Sequence, residues 1–120
     1  MQNKNQIFTL LLLIIGGLAN VQTGWERKAD FPVTIRYGAV GFSLNGKGYV
    51  GTGRNSSIGD LRDFWEYDPV LNIWSRKADF PGVGRANAIG FSIGVKGYIG
   101  TGGNMLNDFW EYDPVNDSWI

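Results

Sequence analysis

The clearest pattern along the chain is an alternation of bulky apolar residues with small ones. In residues 39–44 the side chains of Val40, Phe42 and Leu44 alternate with Ala, Gly and Ser, and residues 88–93 show the same order. A period of two places successive side chains on opposite faces of a β-strand. A strand with one bulky and one small face suits an innermost position, where crowding leaves little room on one side.

Three more strands follow the first one in each copy of this pattern. The second is predicted over residues 47–53, the third over residues 63–68 and the fourth from Ile73 onward. The first two strands are joined by Asn45-Gly46, which favours a type I′ hairpin turn, whereas Gly94-Val95 in the second copy fits a type II′ turn. Because no segment beyond the start of the chain has a helical period, we predict an all-β fold.

An internal repeat organises nearly all of the chain. A shift of 49 residues aligns residues 25–53 with 74–102, and 18 of these 29 positions are identical. Farther on the shift is 45, and residues 63–70 recur unchanged as 108–115. The shifts differ because the loop before the third strand has nine residues in the first copy and five in the second. Loops are where repeats tolerate such changes in length.

These features resemble the kelch repeat of β-propellers, a four-stranded unit with a period of about 50 residues. The resemblance is carried by a hydrophobic run, a glycine pair and a spaced Tyr and Trp: Val40 to Leu44, Gly102-Gly103, Tyr67 with Trp74, and Tyr112 with Trp119. It covers about Trp25 to Ile120. The first copy departs from the pattern at Gly53-Arg54, where the second glycine is missing.

The resemblance implies an incomplete propeller built from blades of four antiparallel strands. A propeller closes with about four to eight blades, and the repeat supplies two, over residues 36–80 and 81–120, the second of them truncated. Residues 20–35 would hold an orphan strand, Trp25 to Lys28, that completes the last blade of a longer propeller. We therefore expect the N-terminal part of a longer protein with further blades, and assembly of several short chains is the alternative.

The first 19 residues have the layout of a secretory signal peptide. Lys4 precedes an apolar run from Ile7 to Ile15, and the small residues Gly17 and Ala19 suit cleavage after Ala19. The run is shorter than the roughly 18 residues of a membrane-spanning helix. We predict a secreted, periplasmic or cell-surface protein with no membrane segment beyond the signal peptide.

Composition removes several classes of function. The 11 basic and 11 acidic residues give a formal net charge of zero, which provides no basic surface for nucleic acid. The chain contains no His and no Cys, so thiol nucleophiles, Ser-His-Asp triads and His-ligated metals are excluded. We expect no cofactor, no metal and no catalytic constellation within this chain.

Five polar residues next to predicted strands are the candidate binding residues. Arg36 and Arg85 recur at the shift of 49, shortly before the innermost strand, where a guanidinium could hold a ligand carboxylate. A repeated structural contact is the alternative. Arg54 and Asn55, together with Asn104, lie in the loops that differ between the copies, as binding loops do. Family resemblance implies that kelch propellers often bind partners through such loops.

Repeated carboxylates and tryptophans permit further interpretations. Asp63 and Glu66 recur as Asp108 and Glu111, which fits a glycosidase or calcium site or, because they recur, turn caps and exposed strand positions. The repeated tryptophans fit a sugar-stacking platform or packing against the sheet.

We predict an exported binding module whose blade loops contact a protein or a carbohydrate. The resemblance also implies an enzyme alternative, because some kelch propellers are similar to galactose oxidase or to sialic acid mutarotases. In that case the catalytic residues would lie in blades outside this chain.

Overall fold

The computed structural model describes residues 24–120, so the predicted signal peptide over residues 1–19 lies outside the described residues. Within this range the chain forms strands and no helix, and therefore no helix long and apolar enough to cross a membrane. The strands are β1 (Val40–Leu44), β2 (Lys47–Gly51), β3 (Arg54–Asn55), β4 (Gly59–Asp60), β5 (Phe64–Asp68), β6 (Ile73–Lys77), β7 (Ile89–Ile93), β8 (Lys96–Gly100), β9 (Phe109–Asp113) and β10 (Ser118–Trp119).

Eight of these strands form two antiparallel sheets of four, which confirms the predicted fold class. Blade 1 has the strand order β1-β2-β5-β6, and blade 2 has the order β7-β8-β9-β10. Phe42 pairs with Tyr49 across the first ladder of blade 1, and Tyr49 pairs with Glu66 across the second. Strands β3 and β4 form a separate two-stranded hairpin inside the longer loop of the first copy.

The hairpin turns have the backbone angles that the sequence predicted. Asn45 and Gly46 have φ values of 51° and 74°, as a type I′ turn requires. In the second copy φ is positive at Gly94, at 58°, and not at Val95, which agrees with type II′. Both turns fix the same register between the two innermost strands of a blade.

The predicted end of the second strand needs correction. Strand β2 ends at Gly51 rather than at residue 53, because Thr52 and Gly53 have φ values of 55° and 95° and leave the extended conformation. Residues 25–28 are expected to pair with a blade outside this chain, and no segment of residues 24–120 pairs with them. Their place in a longer propeller stays a prediction.

The segment before each blade crosses onto the outer strands of that blade. In front of blade 1, the backbone N–H of Ala29 donates to Asn72 Oδ1 at 2.8 Å, and Trp74 Nε1 donates to the Ala29 carbonyl at 3.1 Å. Phe31 lies edge-on to Trp74, with the ring centroids 5.0 Å apart. The second copy repeats both hydrogen bonds with Ala78, Asp117 and Trp119. Trp74 is therefore half-buried under a crossing segment rather than enclosed between strands.

The bulky face of blade 1 packs on the small-residue face of blade 2. A Cβ atom added at Gly90 would collide with Val40 Cγ2, and one added at Gly97 would lie 2.5 Å from the ring of Phe42. Real Cβ atoms do not approach other atoms so closely, so these two positions accept only glycine while Val40 and Phe42 keep their places. The bulky and small residues that alternate in the sequence therefore form the contact between the blades.

One hydrophobic core lies between the blades. The ring of Phe64 is edge-on to both Tyr112 and Trp119, with centroid distances of 4.9 and 5.0 Å. Aromatic pairs in this geometry add about 0.5–1.5 kcal/mol beyond the burial of their surface. The buried members of the core are Val40, Leu44, Tyr49, Phe64, Phe80, Ile99 and Tyr112.

We expect Gly97→Ala to lower the free energy of unfolding by about 1–3 kcal/mol, the usual cost of overpacking a tight core. The added methyl group has to displace the Phe42 ring. Val115→Ala, at a turn position that is largely exposed, is the control and should change stability by less than about 0.5 kcal/mol. Urea unfolding monitored by tryptophan fluorescence measures both; equal stability of the two variants would contradict the packing described.

Candidate functional site

Arg36 is held at the start of blade 1 by a repeated set of contacts. Its guanidinium donates to both carboxylate oxygens of Asp63, at 2.7 and 2.8 Å, and to the carbonyl of Thr52 at 3.0 Å. The same group lies over the ring of Phe31, 4.9 Å from its centroid. A bidentate ion pair with a stacked aromatic ring suits the planar guanidinium and not an ammonium group.

Arg85 occupies the equivalent place in blade 2. It donates to Asp108 at 2.5 and 2.7 Å and to the Thr101 carbonyl at 2.9 Å, and it stacks on Phe80 at 4.8 Å. Arg85 has no exposed surface. These contacts fit the repeated structural contact that the sequence offered as the alternative for both arginines. Contact of either arginine with a ligand stays a prediction.

Arg36 and Arg85, each with its paired aspartate and stacked phenylalanine, form two clusters that we call the arginine cages, and each cage also contains a tryptophan. Trp65 Nε1 donates to Asp63 Oδ2 at 2.8 Å, and Trp110 Nε1 donates to Asp108 Oδ2 at the same distance. The arginine and phenylalanine recur at the shift of 49, but the aspartate and tryptophan recur at the shift of 45. The loop that changes length lies between them in sequence, so the repeat itself did not show that the four residues meet.

The cages lower the pKa values of their carboxylates. Burial alone would raise the pKa of Asp63, but hydrogen bonds from Arg36 and Trp65 outweigh it, and the pKa lies below its ordinary value. At Asp108 the hydrogen bonds from Arg85 act more strongly than burial and lower the pKa to about 2. Both carboxylates are therefore ionised at neutral pH and are poor candidates for proton donors.

A pocket of about 440 Å³ opens where the loops of blade 1 meet the connection to blade 2. Its lining contains two internal ion pairs, Arg36 with Asp63 and Arg76 with Asp79 at 3.0 Å. It also contains Arg62, which is exposed. The longer loop of the first copy, with its β3-β4 hairpin, supplies much of the wall, since Ile58, Asp60, Leu61 and Arg62 all belong to it.

A smaller pocket of about 170 Å³ brings three of the predicted binding residues together, Arg36, Arg54 and Asn55. The side chain of Asn55 is occupied by backbone groups: its Nδ2 donates to the Ile35 carbonyl in the segment before β1 at 2.9 Å, and its Oδ1 accepts from the Ser57 N–H of its own loop at 2.9 Å. Arg54 reaches Asp60 at 3.4 Å across the hairpin.

The other two predicted residues lie apart from these pockets. The Arg85 carbonyl accepts a hydrogen bond from the Gly53 N–H of blade 1 at 2.7 Å. Asn104 is exposed on the shorter loop of the second copy. Over residues 24–120, no three acidic side chains come together in an arrangement that would hold a metal ion.

The order and pairing of the strands define four-stranded antiparallel blades of a β-propeller, and a comparison with a solved structure supports this fold. No family model matches the chain. An N-acetylneuraminate epimerase from Yersinia enterocolitica is 43% identical over 56 residues, which cover 42% of this chain and 14% of that protein. The solved structure of YjhT shares the fold, with a TM-score of 0.68 at 21% identity, over 81% of this chain and 40% of that one. The matched regions therefore span less than half the length of either protein.

We expect Arg36→Lys and Arg85→Lys each to lower the free energy of unfolding by about 1–3 kcal/mol, because lysine cannot replace the bidentate pair and leaves buried acceptors unsatisfied. Arg27→Lys changes an exposed pair with Asp30 and should leave the unfolding transition where it is. Urea melts of the three variants measure this. Unchanged stability at both cage positions, together with weakened ligand binding, would support the ligand-contact prediction instead.

Lowering the pH should reduce the free energy of unfolding, in part through protonation of Asp108. Because its pKa in the folded state is about 2, below the value of about 3.9 in an unfolded chain, its contribution is complete only above about pH 5 and is lost as the pH falls through 2. Asp108→Asn should therefore be less stable than the wild type at pH 6, and the difference should shrink by pH 2. Urea unfolding at several pH values measures it, and a difference that is constant over this range would contradict the assigned pKa.

Proposed function

We propose that these blades form part of an exported propeller that binds an acidic sugar of the N-acetylneuraminate class, in the larger pocket at their loop end. Two observations support the proposal. The relative from Yersinia enterocolitica is named for this sugar, and the larger pocket offers an arginine suited to its carboxylate. Export rests on the predicted signal peptide.

The charge balance of the pocket lining singles out Arg62. Arg36 and Arg76 are neutralised by Asp63 and Asp79 within the lining. The remaining carboxylate, Asp60, pairs with Arg54. Arg62 forms no ion pair with any of residues 24–120, and it is left as the positive group that faces the pocket. A guanidinium in this situation binds a carboxylate with two parallel hydrogen bonds.

The size and wall of the pocket also suit a sugar. A volume of about 440 Å³ lies within the usual range of small-ligand sites, about 300–1,000 Å³. The lining mixes apolar side chains such as Ile58 and Leu61 with charged ones. Carboxylates already paired with arginine can still accept hydrogen bonds from sugar hydroxyl groups, since each oxygen has more than one lone pair.

Epimerisation of the sugar is a second candidate, favoured by the name of the relative. It would require groups that give and take protons near neutral pH. Asp63 is held ionised by Arg36 and Trp65, so it acts within this pocket as a fixed charge. For this chain we therefore place binding first, and we assign any acid and base to blades of a longer protein.

The test is binding of N-acetylneuraminate to the purified chain by isothermal titration calorimetry. Arg62→Ala should weaken binding about 10-fold or more, the value of a charge-assisted hydrogen bond. Arg27→Ala removes an exposed arginine outside the pocket lining and should bind as the wild type does. N-acetylmannosamine, which has no carboxylate, should bind the wild type no better than it binds Arg62→Ala.

Binding of the acidic sugar that is insensitive to Arg62→Ala would contradict the assigned site, and no binding by the wild type would contradict the function. An NMR measurement of anomer exchange with the same samples tests the second candidate. Exchange faster than in buffer alone, and lost in a variant of a pocket carboxylate, would place epimerisation ahead of simple binding.

A further inference from the structure

The residues that line the larger pocket fall into two groups according to the repeat. The first group recurs in the other copy, and its members are Arg36, Leu61, Asp63, Arg76 and Asp79, with the counterparts Arg85, Leu106, Asp108, Arg27 and Asp30. The N–H of Leu61 donates to the Gly53 carbonyl at 2.8 Å, and that of Leu106 donates to the Gly102 carbonyl at 3.1 Å. Because such contacts recur in both copies, the fold by itself explains these residues.

The second group of lining residues does not recur. Its members are Val33, Thr34, Ile58, Asp60, Arg62 and Gly84. Ile58 and Asp60 belong to residues 57–60, by which the loop of the first copy exceeds that of the second. This group contains two large apolar side chains, those of Val33 and Ile58, in addition to the arginine assigned to the ligand carboxylate. The part of the lining that the repeat does not explain is therefore both charged and apolar.

The backbone of Ile58 is fixed, while its side chain is left exposed. The Ile58 N–H donates to Asn55 Oδ1 at 3.0 Å, and Asn55 Nδ2 donates to the Ile35 carbonyl at 2.9 Å. Asn55 is 9% exposed, whereas Ile58 is 66% exposed and does not belong to the hydrophobic core. The fold thus holds this residue in the pocket lining without using its side chain for packing.

Val33 occupies a position where the second copy has no room for a side chain. A Cβ atom added at its counterpart Gly82 would lie 2.7 Å from the ring of Phe80 and 2.8 Å from Arg85 Nη2. In the first copy the valine at this position lines the pocket and is partly exposed. An apolar side chain here is therefore a feature of the pocket and not of the repeat.

The same lining contains partners for the polar atoms of an amide group. Asp60 pairs with Arg54 at 3.4 Å, and its carboxylate keeps lone pairs that accept a hydrogen bond from an amide N–H. The hydroxyl group of Thr34 can donate to an amide carbonyl. An acetamido group combines a methyl group with an N–H and a carbonyl, so it matches a wall that offers all three kinds of contact.

We propose that Ile58 and Val33 contact the methyl group of the ligand's acetamido substituent, so that the larger pocket selects N-acylated acidic sugars over the deaminated form. The inference rests on the proposed function and adds to it the residues that determine specificity. Arg62 binds the carboxylate, which both forms of the sugar carry. Burial of one methyl group strengthens binding about 4-fold, and it is available only to the N-acylated form.

The experiment compares two ligands by isothermal titration calorimetry. They are N-acetylneuraminate and ketodeoxynonulosonic acid, the same acidic sugar with a hydroxyl group in place of the acetamido group. The wild type should bind N-acetylneuraminate about 4-fold or more tightly than the deaminated acid. Ile58→Ala should remove this preference by weakening the binding of N-acetylneuraminate alone, and Ile58→Leu, which keeps the apolar surface, should retain it.

Two further variants separate specificity from general effects on the protein. Val70→Ala shortens a valine that is 90% exposed and lies outside the pocket lining, so it should bind both acids as the wild type does. Arg62→Ala should weaken binding of both acids to the same extent. Val33→Ala tests the second apolar residue, and it replaces Ile58→Ala if that variant does not fold.

Saturation-transfer difference NMR gives an independent measurement on the same samples. Irradiation of the protein methyl groups should saturate the acetamido methyl protons of N-acetylneuraminate more strongly than its other protons. In Ile58→Ala this signal should fall relative to the others. Strongest saturation at protons elsewhere in the sugar would overturn the assigned contact.

The results distinguish failure of this inference from failure of the proposed function. If the wild type binds neither acid, the proposed function is wrong and the inference falls with it. If the wild type binds both acids equally, or if Ile58→Ala and Val33→Ala leave the preference unchanged or weaken both acids alike, the inference alone is overturned.

Discussion

The contact between aromatic side chains of one blade and glycine of the next is the constraint on which the rest of the structure depends. Phe42 comes so close to the backbone of β8 that Gly97 has no room for a side chain. A four-stranded antiparallel sheet has two faces, and an isolated sheet of this size has no core of its own. Stacking the blades supplies the core. This stacking requires one bulky and one small face on each blade, and the alternation of bulky and small residues in β1 and β7 provides them.

The arginine cages join this core to the loops. Arg36 connects the segment before β1 with the carbonyl of Thr52 and with Asp63 at the start of β5, and it rests on Phe31. Buried ion pairs contribute little net stability but cost several kcal/mol when one partner is removed, because the other charge stays buried. We infer that the cages hold the loop end in one arrangement, which sets the position of the pocket walls.

The two copies share a scaffold and differ in the loop that lines the larger pocket. Strands, turns, cages and crossing segments recur in both blades, whereas the β3-β4 hairpin occurs only in the first among the described residues. That hairpin forms much of the wall of the larger pocket and carries Arg62 next to its end. Surface loops tolerate insertions at small energetic cost, while the scaffold does not. A different loop in one blade is therefore compatible with a strict repeat in the framework.

The sequence by itself determined the class of fold, the strands of each blade and the types of the hairpin turns. Alternation, the repeat and the turn residues are local, and local geometry follows from them with few alternatives. It also pointed to Arg36 and Arg85, but not to what they touch, because their partners Asp63 and Asp108 follow the other repeat shift across a loop of changing length. Only the tertiary structure decided which face of each blade is buried, that Trp74 is half-covered by a crossing segment, and that Arg62 rather than Asn55 is available to a ligand. Those properties depend on contacts between residues that are far apart in the chain. No local sequence pattern gives the distances in space between such residues.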